Sequence, residues 1–291
     1  MKESEIIIVD YIPSQVYYSL IKESAKYAII SIPFTINRMH LENLEKRIEN
    51  IAKGKLAENL FAYYCSENGI AADFNTPSTP FYQTDHRDFL LDGYEWDIKN
   101  NFIHHDGNVL QSINYTDLPA LVPDRHSKDQ WSKRNEKIYE STKGVRFLFT
   151  FLKSTDKKSR EQFLSIRLSQ QQIDFLQQLA NKYGGNTFKE KPFKEKWFWS
   201  KMSALKDEKL SLIIRDFPNL VIAGYADAER WNFFKPTNSL NDNNFQNYQK
   251  PFWYEKIRKG ETQLLKFMDG VIWTRIKNAT LPVSMLKAFN F

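Results

Sequence analysis

Asp92-Gly93 stands between two β-forming stretches, Phe89-Leu90-Leu91 and Tyr94-Glu95-Trp96, and no other feature constrains the folding of this chain as tightly. A type I′ turn needs positive φ at both central residues, and Asp-Gly is one of the few pairs that accept it, so a two-residue hairpin is predicted here. Its register follows by counting outward: Leu91 faces Tyr94, Leu90 faces Glu95, Phe89 faces Trp96 and Asp88 faces Asp97. Side chains alternate across a strand, so Phe89, Leu91, Trp96 and Ile98 share an apolar face, while Asp88, Glu95, Asp97 and Lys99 share the other.

Two aspartates directly opposite one another repel, and such a pair weakens a sheet unless a cation, a shared proton or solvent relieves it. A divalent ion is the economical remedy: Mg²⁺ takes oxygen ligands and is often held by only one or two carboxylates with waters and substrate phosphate. Lys99 projects beside the pair. A metal-holding pair with a neighbouring ammonium suits phosphodiester hydrolysis, in which the ion polarises a phosphoryl oxygen and lowers the pKa of water while the ammonium steadies developing charge.

A second oddity lies upstream. Leu41, Leu44, Ile48 and Ile51 recur at helical spacing, predicting a helix over Leu41 to Glu67 that stops at Gly69. Extended onward, that stripe meets Lys55 and Glu58 where it calls for apolar residues. The alternative is a stripe that drifts onto Leu56, Leu60 and Tyr63 and leaves Glu58 at an edge.

At these residues the chain resembles the PD-(D/E)xK, or restriction-endonuclease-like, nuclease superfamily, whose signature is an acid, a spacer, then acid-x-Lys across a hairpin: here Asp88, then Asp97-Ile98-Lys99. Members commonly carry a glutamate on the preceding helix, where Glu58 stands. Arg87 departs from the pattern by occupying the proline position. The resemblance implies an α/β fold, a mixed sheet flanked by helices, with an α-β-β-β-α-β core over roughly 41–152 and an additional C-terminal α+β region. It also implies a Mg²⁺-dependent endonuclease on double-stranded DNA, in the first instance a type II restriction enzyme acting as a homodimer. Asp88, Asp97 and Glu58 would bind metal, and Lys99 would act on the nucleophile or phosphate. The alternatives are a structure-specific repair or recombination nuclease, and a non-catalytic nucleic-acid-binding protein.

Elsewhere, apolar strands are expected at Glu5 to Asp10 and Tyr27 to Phe34 around a short helix at Ser14 to Ser24, with Pro13 and Pro33 as punctuation. A further strand is expected within Val109 to Tyr115 or Leu118 to Val122, then a polar helix over Lys128 to Thr142. Val145 to Leu152, apolar at nearly every position, reads as a strand buried on both faces, with Phe163 to Leu168 returning beside it. Ser169 reads as the N-cap of a helix running to about Tyr183 and ending at Gly184-Gly185. Later strands are expected near Leu220 to Tyr225 and Val271 to Ile276. The division expected is an N-terminal extension at 1–40, a nuclease core at 41–184 and a C-terminal region at 185–291 that helps select DNA.

The net charge is +6, and between Arg125 and Arg160 eleven basic residues face four acidic ones, so the excess is concentrated there. A polyanion suits such a segment, because neutralising phosphates releases counterions; a solvated lysine-rich face is the plain alternative. Phe188 to Trp199 interleaves lysines with aromatics, a composition able to stack on bases or, as the plain alternative, core or interface rings whose lysines face water. The amide-rich Asn238 to Gln249 could read adenine edges or simply form a polar loop. His104-His105-Asp106 and His126 lack the spacing of a metal site, Gln111 and Tyr115 match an exonuclease pattern weakly, and Cys65 sits among apolar neighbours as a core residue. A single cysteine excludes an intramolecular disulfide framework. No glycine-rich phosphate loop supports a nucleotide cofactor, no apolar run is long enough for a membrane span, and the opening residues lack the order of a secretory signal, so a cytoplasmic protein is expected.

Overall fold

The computed structural model describes residues 1–35, 43–83, 87–103, 113–123, 145–153, 163–184, 192–205, 211–227, 265–267, 272–274 and 278–291. The architecture is mixed α/β. Its centre is a five-stranded sheet of β1 (Ile7–Val9), β2 (Phe89–Leu91), β3 (Tyr94–Ile103), β5 (Val145–Lys153) and β8 (Asn219–Ala226), in the order β1-β8-β5-β3-β2. β3 and β5 run parallel, and the other neighbours are antiparallel. β5 has strands on both sides and buried residues on both faces, which is why its sequence lacks alternation. Two adjacent parallel strands require a crossover between them; the polar helix expected over 128–142 belongs to that connection but lies outside the described residues.

Alternation sorts the sheet into two faces. Trp96, Ile98, Leu148, Leu152, Leu220 and Ile222 point to one, where α1 (Ser14–Thr35), α2 (Leu44–Glu67), α3 (Gln170–Tyr183) and α4 (Glu195–Ala204) all contribute to a single apolar cluster. Val145, Phe147, Phe149, Phe151, Val221 and Ala223 point to the other. There they meet Leu118, Ala120 and Leu121 around β4 (Pro119–Pro123), which pairs antiparallel with β11 (Asn278–Pro282). The described helices therefore lie on one face, and the opposite face carries a β-ribbon.

Several expectations hold. α2 occupies the predicted span, Ser169 caps α3 in a reciprocal capping box with Gln172, and β8 and β10 (Ile272–Thr274, paired with β9, Leu265–Phe267) fall where strands were expected. Two differ. Ser14 to Thr35 is one helix and not a helix followed by a strand: Ala28, Ile29, Ile30, Ile32, Pro33 and Phe34 are all buried, so the segment reads as a continuous apolar run, which periodicity cannot assign. The returning strand, β6 (Leu164–Arg167), pairs with β7 (Ser211–Ile214) and not with β5. It is tied to α2, because Glu49 accepts the Ile166 N–H at 3.1 Å and Glu45 accepts the Leu168 N–H at 2.8 Å. Of the two spans offered for the further strand, Leu118 to Val122 is the one that forms it, as β4; of the other, 109–112 lie outside the described residues and Tyr115 opens a 3-10 turn.

β1 and β8 lie in the same sheet as the hairpin, so that sheet draws strands from each of the three stretches the sequence separates. β8 reaches its place through a one-residue irregularity opposite Phe149/Thr150, where Gly224 adopts φ +111°. The carboxy-terminal segment docks there, with Tyr225 N–H donating to the Lys287 carbonyl at 2.8 Å and Lys287 N–H to the Tyr225 carbonyl at 2.9 Å. A Cβ on residue 224 would stand 2.5 Å from the Lys287 carbonyl oxygen. Gly224→Ala is therefore expected to lower the urea midpoint without changing the slope, at a cost of about 2 kcal/mol, because both the backbone conformation and the docked strand resist a side chain.

Candidate functional site

The hairpin forms in the predicted register, with Phe89 opposite Trp96, Leu90 opposite Glu95 and Leu91 opposite Tyr94. Asp92 and Gly93 take φ +53° and +74°, the pair of positive values the turn demands. Phe89, Leu91, Trp96 and Ile98 are buried among the helices, and the Trp96 indole donates to the Leu91 carbonyl at 3.1 Å. The outer edge of β2 is closed at Leu90 by a two-way backbone pairing with Asp73.

The fourth pair differs from expectation. The ladder ends at Phe89, so Asp88 is not a register partner of Asp97. Asp88 N–H donates to the Trp96 carbonyl, at 2.8 Å, and the Asp88 carboxylate accepts the Ile98 N–H at 2.5 Å. A side-chain oxygen thus takes the place of the next backbone acceptor. The effect is to hold the Asp88 carboxylate against the peptide between Asp97 and Lys99.

Asp97 is 8% exposed and lies on the face opposite the helices, level with Phe147 of β5. The Lys99 ammonium reaches both of its oxygens, at 2.7 and 2.5 Å, and sits 5.6 Å from the centre of the Phe147 ring. An ion pair so shielded interacts more strongly than one in water, and removing either partner strands the other charge. Arg87, which stands where the family pattern has proline, donates to Glu95 across the hairpin at 2.7 Å. Nothing in a motif-based reading of the sequence anticipates that brace, although both residues flank the turn at cross-strand distance.

Glu58 is not brought to this spot. The buried stripe of α2 drifts, as the alternative allowed, through Ile48, Ala52, Leu56, Leu60 and Cys65, and Glu58 is left half-buried beside it. Its carboxylate pairs with Lys55, whose ammonium lies 5.0 Å from the Tyr27 ring of α1. α2 packs on the helical face of the sheet, whereas Asp97 and Lys99 project from the other. Among the described residues, no three His, Cys, Asp or Glu side chains are grouped to share an ion. The structure brings together Asp88, Asp97 and Lys99, and it separates Glu58 from them.

The other candidates resolve in part. Tyr115 is buried and its hydroxyl accepts from Lys153 at 2.8 Å, a packing role, while Gln111 lies outside the described residues. His104, His105, Asp106, His126, most of the basic segment and the loop at 238–249 also lie outside them. Trp197 is partly exposed and Phe198 buried in α4. No described helix is long and apolar enough to cross a membrane. No family model, no curated protein and no solved structure matches this chain.

Cys65 is buried, and loss of hydration pushes its thiol up from the ordinary 9.0 to about 12. A raised folded-state value makes its contribution to stability complete below about pH 9 and lost as pH climbs toward 12. Ellman's reagent is expected to leave the native protein unlabelled at pH 8 and to titrate one thiol after denaturation; rapid native labelling would show that the thiol is accessible.

Proposed function

We propose that this chain is a Mg²⁺-dependent endonuclease of the PD-(D/E)xK kind, cutting double-stranded DNA as a homodimeric type II restriction enzyme does. One observation carries the reading: the Asp88 carboxylate is held on the N–H of Ile98, the residue flanked in β3 by the paired Asp97 and Lys99. That arrangement gathers the acid, the second acid and the ammonium of the signature on neighbouring positions of two paired strands. The parallel β3/β5 pairing is compatible with the expected core, although the intervening strand β4 pairs with β11 outside the central sheet.

Asp88 and Asp97 would hold the metal, a donor set that suits an ion retaining several waters. Bound there, Mg²⁺ supplies Lewis-acid activation of a phosphoryl oxygen and a water of lowered pKa. Lys99, which donates to both Asp97 oxygens, would be the cation beside that ion and could stabilise the charge that builds on a phosphate during displacement. Glu58 has no part in this arrangement.

A second reading has its own support. Lys99 already neutralises Asp97 through both oxygens, and that is also what a purely structural pair on a non-catalytic nucleic-acid-binding protein would look like. Plasmid cleavage separates the two. The nuclease reading expects Mg²⁺-dependent cutting abolished by EDTA, with discrete fragments if a sequence is recognised and a smear if it is not. Asp97→Asn is expected to lower the rate about 100-fold or more while circular dichroism shows a folded chain. Full Mg²⁺-dependent activity in that variant would remove Asp97 from the site, and no cutting by the unaltered protein would favour the binding reading.

A further inference from the structure

Arg146 is the second residue of β5 and the register partner of Trp96. Its guanidinium lies 3.5 Å from the centre of the Tyr94 ring, with the Trp96 and Tyr225 rings each 5.3 Å away. The Nε is sealed from solvent without a hydrogen-bond partner, and among the described residues no carboxylate pairs with this cation. The nearest strand position on β8 beyond Ala226 is Asp227, whose carboxylate is engaged by Lys287. Ring faces offset part of the cost of withdrawing a guanidinium from water, yet they give its Nε–H no acceptor. A cation held over aromatic rings, with no carboxylate paired to it among the described residues, is prepared for an oxyanion, since the planar fork matches phosphate and loses little freedom on binding it.

We infer that Arg146, held by Tyr94, Trp96 and Tyr225, is a phosphate-binding residue at the hairpin end of the sheet. The assignment rests on the proposed nuclease function only in taking the DNA backbone as the source of that phosphate. Arg146 and Asp97 project from opposite faces near the starting ends of β5 and β3, so Arg146 grips a phosphate other than the one at Asp97. It also belongs to the stretch from Arg125 to Arg160 in which the chain concentrates its positive charge.

Binding, not cleavage, tests this, so its failure is distinct from failure of the nuclease reading. Affinity for a duplex oligonucleotide would be measured without Mg²⁺ across a salt series, for the unaltered protein, Arg146→Ala and Arg146→Lys. The expectation is about 10-fold weaker binding for Arg146→Ala at about 0.1 M salt, with a log-log salt slope shallower by about one, and partial recovery in Arg146→Lys, which keeps the charge but not the stacked plane. Inorganic phosphate is the second probe, read through the Arg146 Nε–H resonance. A phosphate-induced shift together with unchanged DNA binding in Arg146→Ala would assign the same chemistry to free phosphate. If folded Arg146→Ala and Arg146→Lys bind DNA as the parent does and inorganic phosphate leaves the resonance unmoved, the inference is overturned. Should the parent bind DNA through Arg146 yet never cut it, the nuclease reading falls and this one stands.

Discussion

The backbone of two residues, Asp92 and Gly93, sets the register on which the rest of the site depends. With positive φ at both, β2 and β3 can pair only as they do, and side-chain period two then assigns Trp96 and Ile98 to the helical face and Asp97 and Lys99 to the ribbon face. A slip of one residue would put the aspartate and lysine into the apolar cluster under the helices and expose the tryptophan. The cost of that exchange is what makes the turn decisive. β5 then inherits the same sorting, because its parallel register places Phe147 and Phe149 beside Asp97 and Lys99.

Charge inside this framework is handled locally. Asp97 and Lys99 satisfy each other, Glu58 is satisfied by Lys55 within its own helix, and Arg87 and Glu95 brace the hairpin. α2 uses Glu45 and Glu49 to complete the hydrogen bonding at β6 and its C-terminal end, so carboxylates there serve as substitutes for a neighbouring strand. Asp88 makes the same substitution at the end of the hairpin ladder. Against this background Arg146 stands apart, since ring faces surround its charge and no carboxylate pairs with it among the described residues.

Much of the hairpin was legible because turn chemistry and alternation are local rules, and α3 was legible because Ser169 and Gln172 announce its start. Tyr27 to Phe34 misled, since an apolar run longer than one strand but shorter than a membrane span reads the same whether it is a strand or a buried part of a helix. The stripe of α2 misled more gently: its drift moves Glu58 off the core face by a fraction of a turn, enough to carry its carboxylate away from the hairpin. The partner of β6 was not legible at all, because which strand it joins depends on carboxylates from a helix more than a hundred residues earlier.

The amino-acid order alone determined the turn, the pairing of β2 with β3, and the division of Asp97 and Lys99 from Trp96 and Ile98, because these follow from backbone sterics and a two-residue period acting over a dozen positions. Tertiary structure decided which sheet face each helix covers, that β1 and β8 complete the sheet, that Glu58 lies across the sheet from Asp97, and that three aromatic rings from two strands close on Arg146. Those outcomes come from long-range burial, which brings together residues whose spacing in the chain carries no record of their meeting.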